Sequence, residues 1–193
     1  MIALDLDGTL LDCRTRQCAV LQAVLPSRVD PAAWWARKRG GATTAAALVA
    51  LGVDRRRAEA AAAAWTARVE DDEWLALDAP LPGARAALAR AGFVLTARRR
   101  PGAVARQLQA LGLAAEVVVV DPRRAAEAKA EVLRDRGARG LVGDTESDAR
   151  AAALAGVGFA AVGTGQRDPA FLLAHGAGRV HEGVLDAVAA LRG

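Results

Sequence analysis

Short apolar runs alternate with segments of helical period along most of the chain. The runs predict β-strands, and the Ala-, Leu- and Arg-rich segments between them predict helices. The predicted strands are 2–6, 93–96, 115–120, 139–142 and 157–162, and the predicted helices are 83–91, 101–112, 123–136 and 147–155. Strands that alternate with helices in this way favour parallel βαβ units. The pattern therefore predicts an α/β fold built on a parallel sheet.

The interval from residue 13 to about residue 79 interrupts this alternation, because it contains no good strand. Its pattern predicts helices at 13–24, 31–38, 43–51 and 54–72, and Pro80, Pro82 and Gly83 mark the return to the α/β part. All four tryptophans, Trp34, Trp35, Trp65 and Trp74, fall inside it. Large side chains of this kind are what a small helical lobe needs to build a core. We therefore predict a core domain of residues 1–12 and 80–193 and a helical cap of residues 13–79.

Composition is typical of a folded protein. The 193 residues are 53% hydrophobic and 25% charged, which is enough to bury a core and argues against disorder. No stretch approaches the apolar length of a membrane span, and the first residues carry acid where a signal peptide carries base. We expect a cytoplasmic protein with no membrane partner. Cys13 and Cys18 suit neither a redox pair nor a metal cluster, so two reduced thiols are expected.

The net charge of +4 and the sequence pI of about 10 raise the possibility of nucleic-acid binding. Of the 26 basic residues, however, only Lys38 and Lys129 are lysines, and the chain has one Ile and no Tyr. Such a uniform bias indicates a genome-wide compositional preference. The arginines are also spread among acids rather than gathered into one stripe with aromatics. The sequence therefore disfavours a nucleic-acid partner, while a modestly positive surface would still attract small phosphorylated anions.

Two carboxylates, Asp5 and Asp7, end the first predicted strand. Ligands of an open parallel sheet bind beyond the carboxyl ends of its strands, and alternation along a strand points these two side chains the same way. Like charges at this separation are costly unless a cation or a shared proton relieves them. Gly8 then permits a sharp departure of the chain.

Acidic residues also follow the 139–142 strand, where Asp144 and Asp148 precede a predicted helix that Thr145 or Ser147 would cap. Two acidic strand ends form an oxygen-ligand site, which favours Mg²⁺ over zinc. Thr96 closes another strand, and Lys129 is a lysine kept in an arginine-rich chain, which suggests a need for a compact ammonium.

Together these residues resemble the haloacid dehalogenase (HAD) superfamily over nearly the whole chain. The segment Asp5-x-Asp7-Gly8-Thr9-Leu10, followed by Asp12, is similar to the first motif of that superfamily. Thr96 matches the second motif, Lys129 the third, and Gly143-Asp144-Thr145-x-x-Asp148 the fourth. The spacing is similar to that of members with a helical cap, such as phosphoglycolate phosphatase and β-phosphoglucomutase. The resemblance implies a Rossmann-like core, a lid-like cap and a small phosphate monoester as substrate.

The resemblance also implies a role for each matched residue. Asp5 would be the nucleophile and form an aspartyl-phosphate, and Asp7 would act as general acid and then general base. Mg²⁺ would be held by Asp5, Asp144 and the Asp7 backbone carbonyl, with Asp148 supporting the metal or orienting Lys129. The groups expected to bind the phosphoryl oxygens are Thr96, Lys129 and the backbone N–H groups near Asp7, Gly8 and Ala97. Dehalogenase relatives lack the second acid, so Asp7 points to phosphate chemistry.

Further basic residues are candidate substrate contacts. Arg98 lies two positions after Thr96, where the family often has a basic residue, and Arg37-Lys38-Arg39 precedes a Gly-Gly turn near the expected specificity loop of the cap. Exposure to solvent is the competing interpretation for both sets. His175 and His181 are expected at the surface.

Three other functions remain open at the level of sequence. A phosphomutase of the same family would shelter the phosphoenzyme from water, and a non-enzymatic phospho-aspartate switch would need neither Asp7 nor a cap. A nucleic-acid binder would show salt-dependent affinity that does not depend on Asp5. The identity of the monoester and the choice between monomer and homodimer are not defined by the sequence.

Overall fold

A computed structural model describes residues 1–25 and 29–193. The strands are β1 (Ile2–Leu4), β2 (Leu11–Asp12), β3 (Ala79–Pro80), β4 (Phe93–Thr96), β5 (Val117–Val119), β6 (Gly140–Gly143), β7 (Gly158–Val162) and β8 (Val180–His181). The helices are α1 (Arg14–Val24), α2 (Pro31–Arg39), α3 (Thr44–Ala50), α4 (Arg55–Arg68), α5 (Asp72–Leu75), α6 (Ala84–Leu88), α7 (Pro101–Ala110), α8 (Ala125–Asp135), α9 (Glu146–Ala155), α10 (Pro169–Ala174) and α11 (Val184–Ala190), with a 3₁₀ turn at Pro122–Arg124.

Six strands form one parallel sheet in the order β5-β4-β1-β6-β7-β8. The predicted α/β fold with a parallel sheet is therefore confirmed. The chain builds outward from β1 in one direction through β4 and β5 and in the other through β6, β7 and β8. Such a reversal of strand order opens a crevice at the carboxyl ends of the strands beside it. Asp5 is the first residue beyond β1, so it lies at this crevice.

The sheet is covered on both faces, as a parallel sheet requires. Side chains of β1 alternate between the two faces: Ile2 and Leu4 enter one hydrophobic cluster, with Val104 and Val188 from the helices on that side. Ala3 enters the other cluster with Phe93, Leu95, Leu133 and Leu141. Burial on both sides fixes β1 and therefore the position of the residues that follow it.

Helices α1–α4 have an apolar cluster of their own, which includes the fully buried Trp34. The Trp34 ring packs edge-on against Trp65, with ring centroids 6.1 Å apart, and tilts against Trp35 at 6.3 Å. The expectation that tryptophans build this small core agrees with the position of these three rings. Strands β2 and β3 flank the helices and pair with each other, Leu11 opposite Pro80 and Asp12 opposite Ala79.

Two parts of the secondary-structure prediction are wrong. The single helix predicted over 54–72 is two helices, because the chain turns after α4 where the buried Glu70 carboxylate accepts the backbone N–H groups of Arg99 and Arg100. The prediction also omitted α10, β8 and α11, which are too short to display a period. Their signal was local: Asp168 caps α10 and Pro169 occupies its first position.

None of the described helices combines the length and hydropathy that crossing a lipid bilayer would require.

Candidate active site

Three buried carboxylates meet at the carboxyl ends of β1 and β6. Asp5 follows β1, Asp144 follows β6, and Asp148 lies in the first turn of α9. The backbone N–H of Asp5 donates to Val142 O at 2.8 Å, which extends the β1–β6 ladder by one residue. One oxygen of each carboxylate lies within 4.8 Å of the others. The structure therefore brings together three residues that the sequence placed at two separate strand ends.

Lys129 supplies the positive charge at this cluster. Its Nζ lies 2.5 Å from Asp5 Oδ1 and 2.7 Å from Asp148 Oδ1, and its side chain is only 3% exposed. Helix α8 carries Lys129 on its buried face, beside Ala126, Ala130 and Leu133. Burial opposes the charge, but the Asp148 and Asp5 carboxylates outweigh it and raise the pKa of Lys129 above its ordinary range. The ammonium is therefore a permanent cation between two carboxylates.

Asp148 is fixed by the start of α9. Its Oδ2 accepts the Thr145 hydroxyl at 2.6 Å and the Thr145 N–H at 3.2 Å, while the Asp148 N–H donates to Thr145 Oγ1 at 3.3 Å. This is a capping box, and it selects Thr145 from the two predicted caps. Since Oδ2 is held by Thr145, Oδ1 remains for Lys129. Asp148 thus orients the ammonium through a helix cap.

Asp144 is completely buried and is held from two sides. Thr9 Oγ1 donates to its Oδ1 at 3.3 Å, and the Gln166 N–H donates to its Oδ2 at 2.6 Å. Gly8, at φ +81°, passes so close that a Cβ there would overlap the Asp144 carboxylate. Burial, with Asp5 and Asp148 nearby, raises the pKa of Asp144 well above its ordinary value. The site therefore holds more carboxyl groups than the Lys129 ammonium alone can balance, and burial makes it unfavourable for all of them to be ionised.

Asp5 has one oxygen free of hydrogen bonds from the described residues. Its Oδ1 is bound by Lys129, and the structure gives no donor to Oδ2. Burial raises the pKa of Asp5 to about 7, with the Lys129 ammonium acting in the opposite direction and Asp148 in the same direction. A carboxylate that is desolvated, held at one oxygen and open at the other has the geometry of a nucleophile.

Asp7 is bound by two arginines. Arg98 donates to both of its oxygens, Nε to Oδ2 at 2.8 Å and NH2 to Oδ1 at 2.5 Å, and Arg16 NH2 donates to Oδ1 at 2.5 Å. Burial opposes ionisation, but the charges of Arg16 and Arg98 outweigh it and hold the pKa of Asp7 well below its ordinary range. The predicted acid/base residue is therefore ionised in this arrangement.

Besides Lys129 on α8, the predicted phosphoryl-binding groups come from two places, the end of β4 and the loop between β1 and β2. Thr96 ends β4 and is buried, with Ala97 directly after it. The Gly8 N–H, however, donates to Leu11 O at 2.7 Å, within the loop that begins β2. This N–H already has an acceptor in the described arrangement, so its binding to a phosphoryl oxygen stays a prediction that requires this hydrogen bond to open.

The three basic residues before the Gly-Gly turn have three different surroundings. Arg37 is exposed, whereas Lys38 is 6% exposed, with Nζ donating to Gln17 Oε1 at 3.1 Å and lying 5.1 and 4.4 Å from the ring centroids of Trp34 and Trp65. Arg39 NH2 donates to Gly163 O at 2.7 Å. Within the part of the chain that the structure describes, the hydrogen bonds of these three residues go to partners other than Asp5. The interpretation of this run as solvated holds for Arg37 and fails for Lys38.

Several residues of the site escaped the sequence analysis. They are Thr9 and Gln166 on Asp144, Arg16, Asp78 and Gln107 around Arg98, and Arg167, which pairs with Glu146 at 2.7 and 2.8 Å. Thr9 lies inside the first motif and could have been found there. The arginines could not, because a chain with this many arginines gives no reason to select two of them.

Solved structures share this fold, although no protein-family model and no curated protein matches the chain by sequence. A haloacid dehalogenase-like hydrolase, SP0104 from Streptococcus pneumoniae, is 16% identical with a TM-score of 0.75, covering 98% of this chain and 96% of that one. A predicted phosphatase from Clostridium acetobutylicum is 15% identical with a TM-score of 0.73, covering 99% and 97%. A HAD family hydrolase from Deinococcus radiodurans R1, with bound phosphate and sodium, is 18% identical with a TM-score of 0.69, covering 98% and 93%. The chain therefore has the fold of HAD-like hydrolases across its whole length.

Proposed function

We propose that this chain is a Mg²⁺-dependent phosphatase that hydrolyses a small phosphate monoester through a covalent aspartyl-phosphate on Asp5. The observation that carries the proposal is the convergence of Asp5, Asp144, Asp148 and Lys129 at the carboxyl end of the central strand. The shared fold supports it, since one protein with this fold is a hydrolase described with bound phosphate and sodium. The helical cap of residues 13–79 is proposed to cover the site during reaction.

The donor set fits a hard divalent cation. All three side chains of the cluster are carboxylates, their oxygens lie within reach of one ion, and Asp144 has the raised pKa of a buried acid near other acids. Asp5, Asp144 and the Asp7 backbone carbonyl would hold Mg²⁺, with Asp148 behind them. The ion, when bound, would offset the repulsion between the Asp5 carboxylate and the phosphate oxygens.

The protein groups divide the remaining work. Asp5 Oδ2 attacks phosphorus while Lys129 holds Oδ1, so the reacting carboxylate stays oriented and its charge is balanced by an adjacent ammonium. The P–O bond to the leaving alkoxide breaks as the Asp5–phosphorus bond forms. Lys129, the Thr96 hydroxyl and the Ala97 N–H are proposed to stabilise the phosphoryl oxygens as charge builds.

Asp7 is proposed to transfer the protons. It would give a proton to the leaving alkoxide and later accept one from the water that hydrolyses the aspartyl-phosphate. In the described arrangement it is ionised and held by Arg16 and Arg98, which suits the second of these steps. Proton donation in the first step therefore requires the negative charge of the bound phosphate to raise the pKa of Asp7 against these two arginines.

The experiment that tests the proposal is hydrolysis of 4-nitrophenyl phosphate with Mg²⁺ or with EDTA, for the wild type and for Asp5→Asn. We expect metal-dependent release of nitrophenol that Asp5→Asn abolishes. Full activity in a folded Asp5→Asn variant would exclude Asp5 as the nucleophile. An inactive wild type would favour a phosphomutase or a phospho-aspartate switch, and phosphoenzyme persistence with a sugar bisphosphate requirement would identify the mutase.

A further inference from the structure

Asp7 belongs to a closed ring of ion pairs that two arginines form with Asp7 and a second aspartate, Asp78. Arg16 bridges Asp7 Oδ1 at 2.5 Å and Asp78 Oδ1 at 2.9 Å, and Arg98 bridges Asp7 Oδ1 at 2.5 Å and Asp78 Oδ2 at 3.4 Å. The two guanidinium and two carboxylate charges balance one another. Asp78 therefore contacts both groups that hold Asp7 without contacting Asp7 itself.

The ring joins parts of the chain that lie far apart in sequence. Arg16 is in the first turns of α1, Arg98 follows β4, and Asp78 directly precedes β3, where the chain returns from the cap. Arg16 also donates NH1 to Val69 O at 2.9 Å. The orientation of the Asp7 carboxylate is thus set by groups from both the cap and the sheet.

Asp78 is the most enclosed member of the ring. Its side chain has no exposed surface, whereas that of Asp7 is 16% exposed. Gln107 completes the surroundings, since its Nε2 donates to Asp78 Oδ2 at 2.8 Å and to Leu75 O at 2.9 Å, while its Oε1 accepts Arg98 NH1 at 2.7 Å. A fully buried carboxylate needs such donors, and the Asp78 carboxylate in turn fixes the positions of the side chains that donate to it.

Stability alone does not account for this arrangement. A buried ion-pair network contributes little net stability compared with apolar side chains of the same volume, because each charge loses its hydration. The ring instead fixes the orientation of the Asp7 carboxylate, because Asp78 holds both of the guanidinium groups that bind it. We propose that Asp78 is a positioning residue that aims the Asp7 carboxylate at the leaving group through Arg16 and Arg98. This inference rests on the proposed phosphatase function.

The consequence concerns leaving groups. 4-Nitrophenolate is weakly basic and departs without a proton, whereas the more basic phenolate of phenyl phosphate needs one. The two substrates have the same ring and differ mainly in this need. If the Asp7 carboxylate is wrongly oriented, kcat/KM should therefore fall far more for phenyl phosphate than for 4-nitrophenyl phosphate. This ratio reports the steps up to phosphoryl transfer.

The test compares Asp78→Asn, which keeps the shape and removes the charge, with the wild type on both substrates. We expect kcat/KM for phenyl phosphate to fall about 10- to 100-fold, part of the full general-acid contribution, and that for 4-nitrophenyl phosphate to fall less than about 3-fold. Asp7→Asn should show the same selectivity more strongly. Adding Asp78→Asn to Asp7→Asn should cause no further selective loss, because the two residues act as one unit.

The control is Asp72→Asn, which breaks the exposed Arg106–Asp72 pair (2.8 Å) between α5 and α7, the two helices that the Gln107–Leu75 hydrogen bond also joins, and should leave both substrates unaffected. If Asp78→Asn does not fold, Gln107→Met is a second variant, because it removes a donor to Asp78 and an acceptor for Arg98. It should cause a smaller selective loss of kcat/KM for phenyl phosphate. Equal losses on both substrates, or additive losses with Asp7→Asn, would overturn the inference while leaving the phosphatase proposal intact. An inactive wild type, or an active Asp5→Asn, would overturn both.

Discussion

At the scale of single residues, the two lysines of the chain are both buried but in opposite surroundings. Lys129 lies between two carboxylates, whereas the Nζ of Lys38 has one neutral hydrogen-bond acceptor, Gln17, and two indole faces. A buried ammonium paired with carboxylates keeps its charge, and one without them tends to lose it. The two residues should therefore respond differently to substitution and to pH.

Substitution of Lys129 by Arg should abolish most of the activity although the charge is kept. The space between Asp5 Oδ1 and Asp148 Oδ1 admits a compact ammonium at 2.5 and 2.7 Å, and a planar guanidinium has a different reach and shape. We expect kcat for 4-nitrophenyl phosphate to fall about 100- to 1,000-fold, as on loss of one preorganised donor. Circular dichroism would verify folding, and activity within a few-fold of wild type would contradict the prediction.

Stability should depend on the charge of Lys38 above neutral pH. Burial lowers the pKa of Lys38 to about 8 from its ordinary 10.5, so between these values the unfolded chain binds the extra proton and the free energy of unfolding rises with pH. The rise is at most about 3–4 kcal/mol, at about 1.4 kcal/mol per pKa unit, and the indole rings reduce it.

Urea unfolding of wild type and Lys38→Met from pH 7 to 10.5 would measure this term. The rise should be missing in Lys38→Met, which should be the more stable protein at pH 7, and present in Arg37→Gln, where an exposed neighbouring cation is removed. Parallel pH curves for Lys38→Met and wild type would show that the ammonium is not destabilised by burial.

At the scale of elements, the turn after α2 joins the helical segment to the loop between β7 and α10. The Arg39 carbonyl accepts the Asp168 N–H at 3.0 Å, and Arg167 NH1 donates to Lys38 O at 3.1 Å while pairing with Glu146. Gly41 lies against the Phe171 ring of α10, so closely that any Cβ would overlap the ring. The contact therefore depends on a residue without a side chain.

Gly41→Ala should destabilise the protein more than Gly52→Ala does. Both glycines have positive φ, +93° and +86°, but a Cβ at Gly52 meets nothing within 4 Å. Each substitution carries a backbone cost of about 1 kcal/mol, and overlap with Phe171 adds about 1–3 kcal/mol for Gly41→Ala alone. Thermal unfolding of the two variants isolates the ring contact, and equal losses would exclude it.

At the scale of the whole molecule, the tryptophans are confined to one part of the chain, and the chain has no tyrosine. All four lie between residues 34 and 74, so intrinsic fluorescence reports on the cap alone. We expect Mg²⁺ with orthovanadate, a phosphate mimic, to change this fluorescence in the wild type and not in Asp5→Asn. Tight binding by calorimetry without any fluorescence change would count against movement of the cap on ligand binding.

The sequence predicted the parts of the site that are contiguous and missed those that depend on distant pairing. Asp5 and Asp144 could be placed because each lies at the carboxyl end of a recognisable strand. Arg16 and Asp78 could not, since they meet across 62 positions, and Arg98 meets Asp7 across 91. The parallel sheet was predictable because its strands are apolar on both faces, whereas the two-residue β2 and β3 carry no periodic signal.

The β2–β3 pair has a consequence for how freely the cap could be exchanged. Asp12 and Ala79 are neighbours in one ladder although 66 residues separate them in sequence, so a short turn could join them and delete everything between. The backbone would therefore allow such a deletion, but the ion pairs around Asp7 would not survive it. Deletion would remove Arg16 and Asp78 together, leaving Arg98 with Asp7 and Gln107 alone. A transplanted cap would have to bring its own counterparts of both residues, so cap and sheet domain are expected to be inherited as a matched set.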